Sequence, residues 1–181
     1  MKVLFFSTSK NVNYLPNVLL KLEVEEKGAL ASIWVDDDEY VVEHPNVNVG
    51  FVTHAKELIL PFFDKILSGC TAKRLLELAP KLVENGRLKS VTVGNITVEE
   101  AKQAAEMMYT GRTIPVLPII EWDEKPIGDG KVGELTMALS DLIWEDLVRR
   151  HTGSRFLMCK RNPNGRICGQ NWCCILKSES E

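Results

Sequence analysis

Three groups of residues have the types and the placement to do chemistry. Lys10 stands just ahead of Asn11-Val12-Asn13-Tyr14, at the entry to a helical pattern. In water such a lysine is a solvated cation. Desolvated in an apolar pocket, it has a lowered pKa and can form a Schiff base with a carbonyl. Glu43 ends the β-rich run Val41-Val42-Glu43. At the surface it is a strand-end carboxylate; if buried, it needs a cationic partner. Ser68-Gly69-Cys70-Thr71 runs straight into a helix. Free N–H groups at a helix N-terminus suit a phosphate, and Thr71 adds a hydroxyl. Equally, Ser68 or Thr71 can simply cap the helix.

Each signal is weak alone. Together they supply an amine that forms Schiff bases, a carboxylate for a pyridinium nitrogen and an anion cradle. Pyridoxal phosphate needs all three.

The elements that must hold these groups follow from periodicity. Tyr14–Gly28 is read as a helix, with Leu15, Val18, Leu19 and Leu22 near helical spacing. Asn13 is placed to cap it, Gly28 closes it, and Pro16 is tolerated in its first turn. Short β-rich runs follow at residues 32–35, 40–43, 47–53 and 57–60, with Asp36-Asp37-Asp38 turning between the first two. A second helix spans residues 71–85, and Pro80 predicts a kink or an early end within it. Residues 88–93 alternate like a strand. Thr97-Val98-Glu99-Glu100 has capping-box spacing and starts a short helix. Residues 107–109 and 116–121 are expected strands, Asp123-Glu124 a hairpin turn, and residues 132–149 an amphipathic helix. The fold class is therefore α/β or α+β, a mixed and mostly antiparallel sheet with packed helices. Residues 1–150 form one domain and residues 151–181 an irregular tail rich in cysteine and basic residues.

The composition of the 181 residues is ordinary for a globular chain: 45% hydrophobic and 26% charged. With 22 basic and 25 acidic side chains the net charge is −3, which gives no electrostatic case for nucleic acid. No apolar run approaches the ~20 residues of a membrane helix. Met1–Ser9 is too short a leader for a signal core, so the default compartment is a reducing cytoplasm. Cys159, Cys168, Cys173 and Cys174, with His151 nearby, hold no Cys-x-x-Cys pair, and no metal site is assigned to them.

The chain resembles the class IV, or fold-type IV, pyridoxal-phosphate aminotransferases. That family includes branched-chain and D-amino-acid aminotransferases and aminodeoxychorismate lyase. The resemblance is greatest to the plant D-amino-acid-aminotransferase-like branch. It is carried by Lys10–Leu15, Tyr40–Asn48, Leu67–Thr71 and the run from Ile119 through Pro126-Ile127-Gly128-Asp129-Gly130-Lys131 to Thr136. It implies an α/β cofactor domain and transfer of an amino group between a D- or branched-chain amino acid and a 2-oxo acid. Lys10 then matches the lysine that forms the Schiff base and shuttles the substrate proton. Glu43 matches the carboxylate that keeps the pyridine nitrogen protonated. Gly69, Cys70 and Thr71 match the phosphate cradle, and Tyr14 a tyrosine that in some members bonds the cofactor's phenolic oxygen. Asn48 matches an asparagine lining the site. Thr110, Gly111, Arg112 and Thr113 match a loop that closes on phosphate and substrate. The family pattern further implies a homodimer and, for longer plant relatives, a chloroplast location.

Two positions depart from the pattern. His44 stands where a glycine usually follows the glutamate, and Arg112 where a small hydroxyl residue is usual. Family members are also longer and have a second, N-terminal domain, so the chain is read as a truncated member. Elimination on the same cofactor site, of the aminodeoxychorismate lyase type, is one alternative activity. An inactive fragment that acts only through dimerisation is another.

Overall fold

The computed structural model describes residue 8, residues 12–29 and residues 31–150. Its centre is a five-stranded sheet built from β1 (Asn48–Val52), β2 (Glu57–Leu60), β3 (Ser90–Val93), β4 (Glu106–Thr110) and β5 (Leu117–Ile119), in the order β3-β2-β1-β4-β5. All neighbours are antiparallel except β2 and β3, which run parallel. The expected mixed, mostly antiparallel sheet is thus present.

Side chains alternate across the strands and divide the core into two faces. Val52, Leu58, Leu60 and Met108 pack against α2 (Cys70–Leu78), α3 (Pro80–Glu84) and α5 (Glu134–Arg150), through Ala72, Leu75, Leu78, Leu82, Ala138, Leu139 and Ile143. Val49, Phe51, Met107 and Tyr109 face the other way, toward Val41, Ile96, Ala101, Ala104 and Ile127. The chain divides into two compact units, residues 1–145 and 146–181; of the second, only residues 146–150 are described.

Local chemistry sets the element ends. Pro80 cannot donate to the preceding turn, and the helical pattern of residues 71–85 is split there into α2 and α3. Thr97 accepts from the Glu100 amide while the Glu100 carboxylate accepts from the Thr97 amide, the capping box that starts α4 (Val98–Lys102). Those contacts hold the Glu100 carboxyl below the usual carboxylate range. Asp36 Oδ1 accepts from the amides of Asp38 and Tyr40, and Oδ2 meets Lys65 Nζ at 2.7 Å. Burial opposes ionisation of Asp36, but Lys65 and the two amides together keep its pKa low. Strands β6 (Glu121–Trp122) and β7 (Lys125–Pro126) meet across Asp123-Glu124, the expected turn, with both residues at positive φ.

Three expectations are corrected. Residues 32–35 and 40–43 are not ladder strands; they meet in a single bridge, Val35 to Val41, with Trp34 and residues 42–43 exchanging backbone bonds. The N-cap of α1 (Leu15–Glu26) is Tyr14 rather than Asn13, with no side-chain capping bond. The helical spacing of α1 is present, but Leu15, Val18, Leu19 and Leu22 face outward and Asn17 is its buried residue. Polar bonds anchor the helix instead: Asn17 Nδ2 donates to Pro45 O, and the Tyr14 hydroxyl donates to Asn46 Oδ1. The tail, residues 151–181, lies outside the described residues.

Candidate cofactor site

The candidate residues converge at one end of the sheet, where β1 begins and β4 ends. Asn48 lies directly opposite Thr110 in the β1–β4 ladder. Both are buried and share the face that α2 covers. The N-terminus of α2 is brought against them by segment 67–71.

Helix α2 has nine residues, an extended Gly69 at its N-cap, no side-chain capping bond and no acidic residue in its first turn. The possibility that Ser68 or Thr71 caps the helix is therefore not realised. Thr71 Oγ1 instead donates to the Gly111 carbonyl at 3.0 Å, tying α2 to the loop after β4. The first-turn amides keep the free, partly positive character that favours an anion. Gly69 is required by close approach: a Cβ there would lie 2.2 Å from Asn48 Oδ1. Cys70 is a free, exposed thiol, and Arg112 and Thr113 are exposed on the loop.

Glu43 is buried, at 4% exposure, so the reading of a carboxylate in open water does not hold. Its Oε2 accepts from the Leu67 amide at 3.3 Å. Asn48 Nδ2 donates to the Leu67 carbonyl at 2.8 Å. Sequence reasoning assigns Leu67 no role of its own; its contribution is a peptide group, which no side-chain pattern signals. Tyr14 reaches the same end of the fold through Asn46. Lys10 lies outside the described residues.

His44 is half-buried, with its ring 5.1 Å from that of Tyr109. Its Nδ1 accepts from the Asn46 amide, which requires an unprotonated nitrogen there. Burial pushes the His44 pKa below its ordinary value of 6.5 and raises that of the Tyr109 hydroxyl. A base with a lowered folded pKa contributes stability in full above its unfolded value and loses it as pH falls through the folded one. Urea midpoints of the wild type are accordingly expected to fall more between pH 7.5 and pH 5 than those of His44→Asn. Asparagine keeps an acceptor for the Asn46 amide and does not titrate. Equal losses in the two proteins refute this.

The residues present fit a phosphorylated, basic-ring group. An uncapped helix N-terminus suits the phosphate, and a buried carboxylate beside it suits a protonated ring nitrogen. An anion cradle and a buried carboxylate joined through one peptide define a phosphate-binding site of this type. The chain belongs to the amino-transferase class IV family, whose model matches residues 3–122. It is 55% identical over 143 residues to the D-amino-acid transaminase, chloroplastic, of Arabidopsis thaliana, covering 78% of this chain and 38% of that protein. It is 30% identical to the D-alanine aminotransferase of Listeria innocua, over 77% of this chain and 46% of that protein. In structure it matches a bacterial-type branched-chain amino acid aminotransferase solved with pyridoxamine 5′-phosphate, at a TM-score of 0.67 and 25% identity, covering 78% of this chain and 45% of that chain. The same enzyme complexed with N-(5′-phosphopyridoxyl)-L-glutamate matches at 0.69 and 27%, with the same coverage. The chain thus spans less than half the length of each of these relatives.

Proposed function

We propose that the chain is the pyridoxal-phosphate-holding part of a transaminase that moves an amino group between a D- or branched-chain amino acid and a 2-oxo acid. The observation that carries this is the joining of buried Glu43 to the uncapped α2 N-terminus through Leu67. The cofactor, when bound, supplies an electron sink for the substrate's α-carbon. The amides of Cys70 and Thr71 hold its phosphate, with the exposed Arg112 able to add charge. Glu43 holds a proton on the ring nitrogen, because a buried carboxylate is stabilised by an adjacent cation. Lys10 supplies the amine that anchors the cofactor and moves the proton at the α-carbon. Tyr14 stands toward the ring's phenolic oxygen, and Gly111-Arg112-Thr113 close over the phosphate.

The expected assembly is a homodimer, and the uncovered stripe Leu15, Val18, Leu19 and Leu22 supports an apolar contact outside the described residues. Among the described residues no helix is long and apolar enough to cross a membrane. The cytosol is the default compartment, and the chloroplast named for the Arabidopsis relative is the alternative.

The test is an absorbance spectrum of the protein with pyridoxal phosphate, followed by borohydride reduction and peptide mapping. A pyridoxyl label on Lys10 that disappears in Lys10→Ala is expected. Labelling spread over surface lysines, unchanged in Lys10→Ala, refutes the reading. A panel of D- and branched-chain amino acids with oxo-acid acceptors then defines the substrate class.

A further inference from the structure

The peptide groups on either side of Leu67 are held by two buried side chains. Its N–H donates to Glu43 Oε2 at 3.3 Å and its carbonyl accepts from Asn48 Nδ2 at 2.8 Å. Asn48 is 5% exposed and Glu43 4%, so water competes with neither bond. The same asparagine also bounds Gly69: its Oδ1 occupies the space that a Cβ at position 69 would enter, at 2.2 Å. One side chain therefore sets residues 67 and 69, the two that lead into the Cys70 and Thr71 amides. Thr71 adds a second tether, since its hydroxyl proton goes to the Gly111 carbonyl. The Thr71 hydroxyl as placed is thus a tie between loops, and the amides remain as the anion donors. The family pattern sets Asn48 against the cofactor as a lining residue; here its amide nitrogen is used on Leu67.

We propose that Asn48 is a positioning residue: together with Glu43 it clamps Leu67 and so sets where, and in which direction, the α2 amides point relative to the Glu43 carboxylate. The functional part of this inference rests on the phosphate-cradle reading. Glu43 acquires two duties. It offers a negative charge, and it fixes the segment that must lie at the right distance from that charge. A ligand with a phosphate at one end and a protonated ring nitrogen at the other is then measured by one shared residue. A neutral acceptor in place of the carboxylate keeps the clamp and loses the charge, which separates the duties.

The experiment is amide hydrogen exchange over residues 67–73 of the full chain, without cofactor. Asn48→Ala is expected to exchange there about tenfold faster, equivalent to ~1.4 kcal/mol of local protection, while β2 and β3 keep their rates. Glu43→Ala is expected to do the same, and Glu43→Gln to stay within about twofold of wild type, because a single retained hydrogen bond preserves most of the protection. Gly69→Ala disturbs the same contact without opening a cavity, and provides the measurement if Asn48→Ala does not fold. It is expected to loosen the segment in the wild-type background. In Asn48→Ala it should add little, because the oxygen it collides with is gone. Unchanged exchange in Asn48→Ala, or fully additive effects of Gly69→Ala, overturns the clamp. Binding is read separately by titration with inorganic phosphate and with pyridoxal phosphate, followed by 31P NMR. About tenfold weaker binding in Asn48→Ala is the expected result for a positioning role. Altered exchange with unaltered affinity overturns that role alone. A wild-type chain that binds neither probe overturns the cofactor reading, and the positioning role with it, whatever the exchange rates.

Discussion

Replacing Gly128 with alanine is expected to lower stability by about 2–5 kcal/mol, the sum of a left-handed backbone penalty and an overpacking penalty. Gly128 has φ +58, a conformation that L side chains rarely adopt, and a Cβ there would stand 2.2 Å from the Ala105 carbonyl oxygen. That oxygen belongs to backbone and has little room to yield. The Ala105 amide donates to Val52 O at the end of β1, and Ile127 beside the glycine is 2% exposed. Relief of the clash therefore pulls on the β1–β4 ladder or lifts Ile127 out of the core. Gly86→Ala is the control. Its φ is +68 with nothing within 4 Å of the added Cβ, so it bears the backbone penalty alone. Urea unfolding of both variants checks the difference, and equal midpoints would refute the steric part of the explanation.

Removing the Glu106 carboxylate is expected to have the next largest effect. Glu106 Oε1 accepts from the Leu135 amide at 3.1 Å and Oε2 from the Thr136 amide at 2.6 Å. An acid on β4 thereby caps α5, a helix of 17 residues that supplies Leu139 and Ile143 to the core. Bonds from amides to an ionised group contribute about 1.5–3 kcal/mol, and the charge also meets the positive end of the helix dipole. Glu106→Ala should lose about 2–3 kcal/mol and Glu106→Gln roughly half of that, since the amide keeps an acceptor without the charge. For a chain of this size the alanine variant should melt about 4–10 °C lower by circular dichroism. A shift under about 1 °C would show that α5 needs no such cap.

Much of the scaffold is legible in the sequence because it depends on local chemistry. Pro80, the Thr97–Glu100 box, the Asp36 turn and the Asp123-Glu124 hairpin each act on backbone a few residues away, and each does so in the fold. Residues 32–35 and 40–43 have β composition, yet pairing depends on what lies alongside, and they meet only in a bridge. The stripe of α1 has the right period, but the period does not say which face another element will cover. At the site, residue types suggest the chemistry and burial decides between readings, as for Glu43 and the uncapped α2. Leu67 is invisible in the sequence because its peptide is what matters. The Pro126–Lys131 run is distinctive in sequence, and what it shows in the fold is packing: Gly128 lies against Ala105, away from Glu43 and α2.

The antiparallel pairing of β1 with β4 also orders events in time. Strands β1 and β2 are joined by a short turn and can meet early, whereas Asn48 reaches Thr110, and Thr71 reaches Gly111, only when a long stretch of chain has closed. The anion cradle is divided across that closure, so it is absent from any partly folded chain that lacks β4. During refolding, affinity for phosphate should therefore emerge with the slowest step of sheet assembly, after the helices have formed. A nascent chain still missing residues 106–110 would hold the glycine, the cysteine and the threonine of the cradle, yet have nothing to align them.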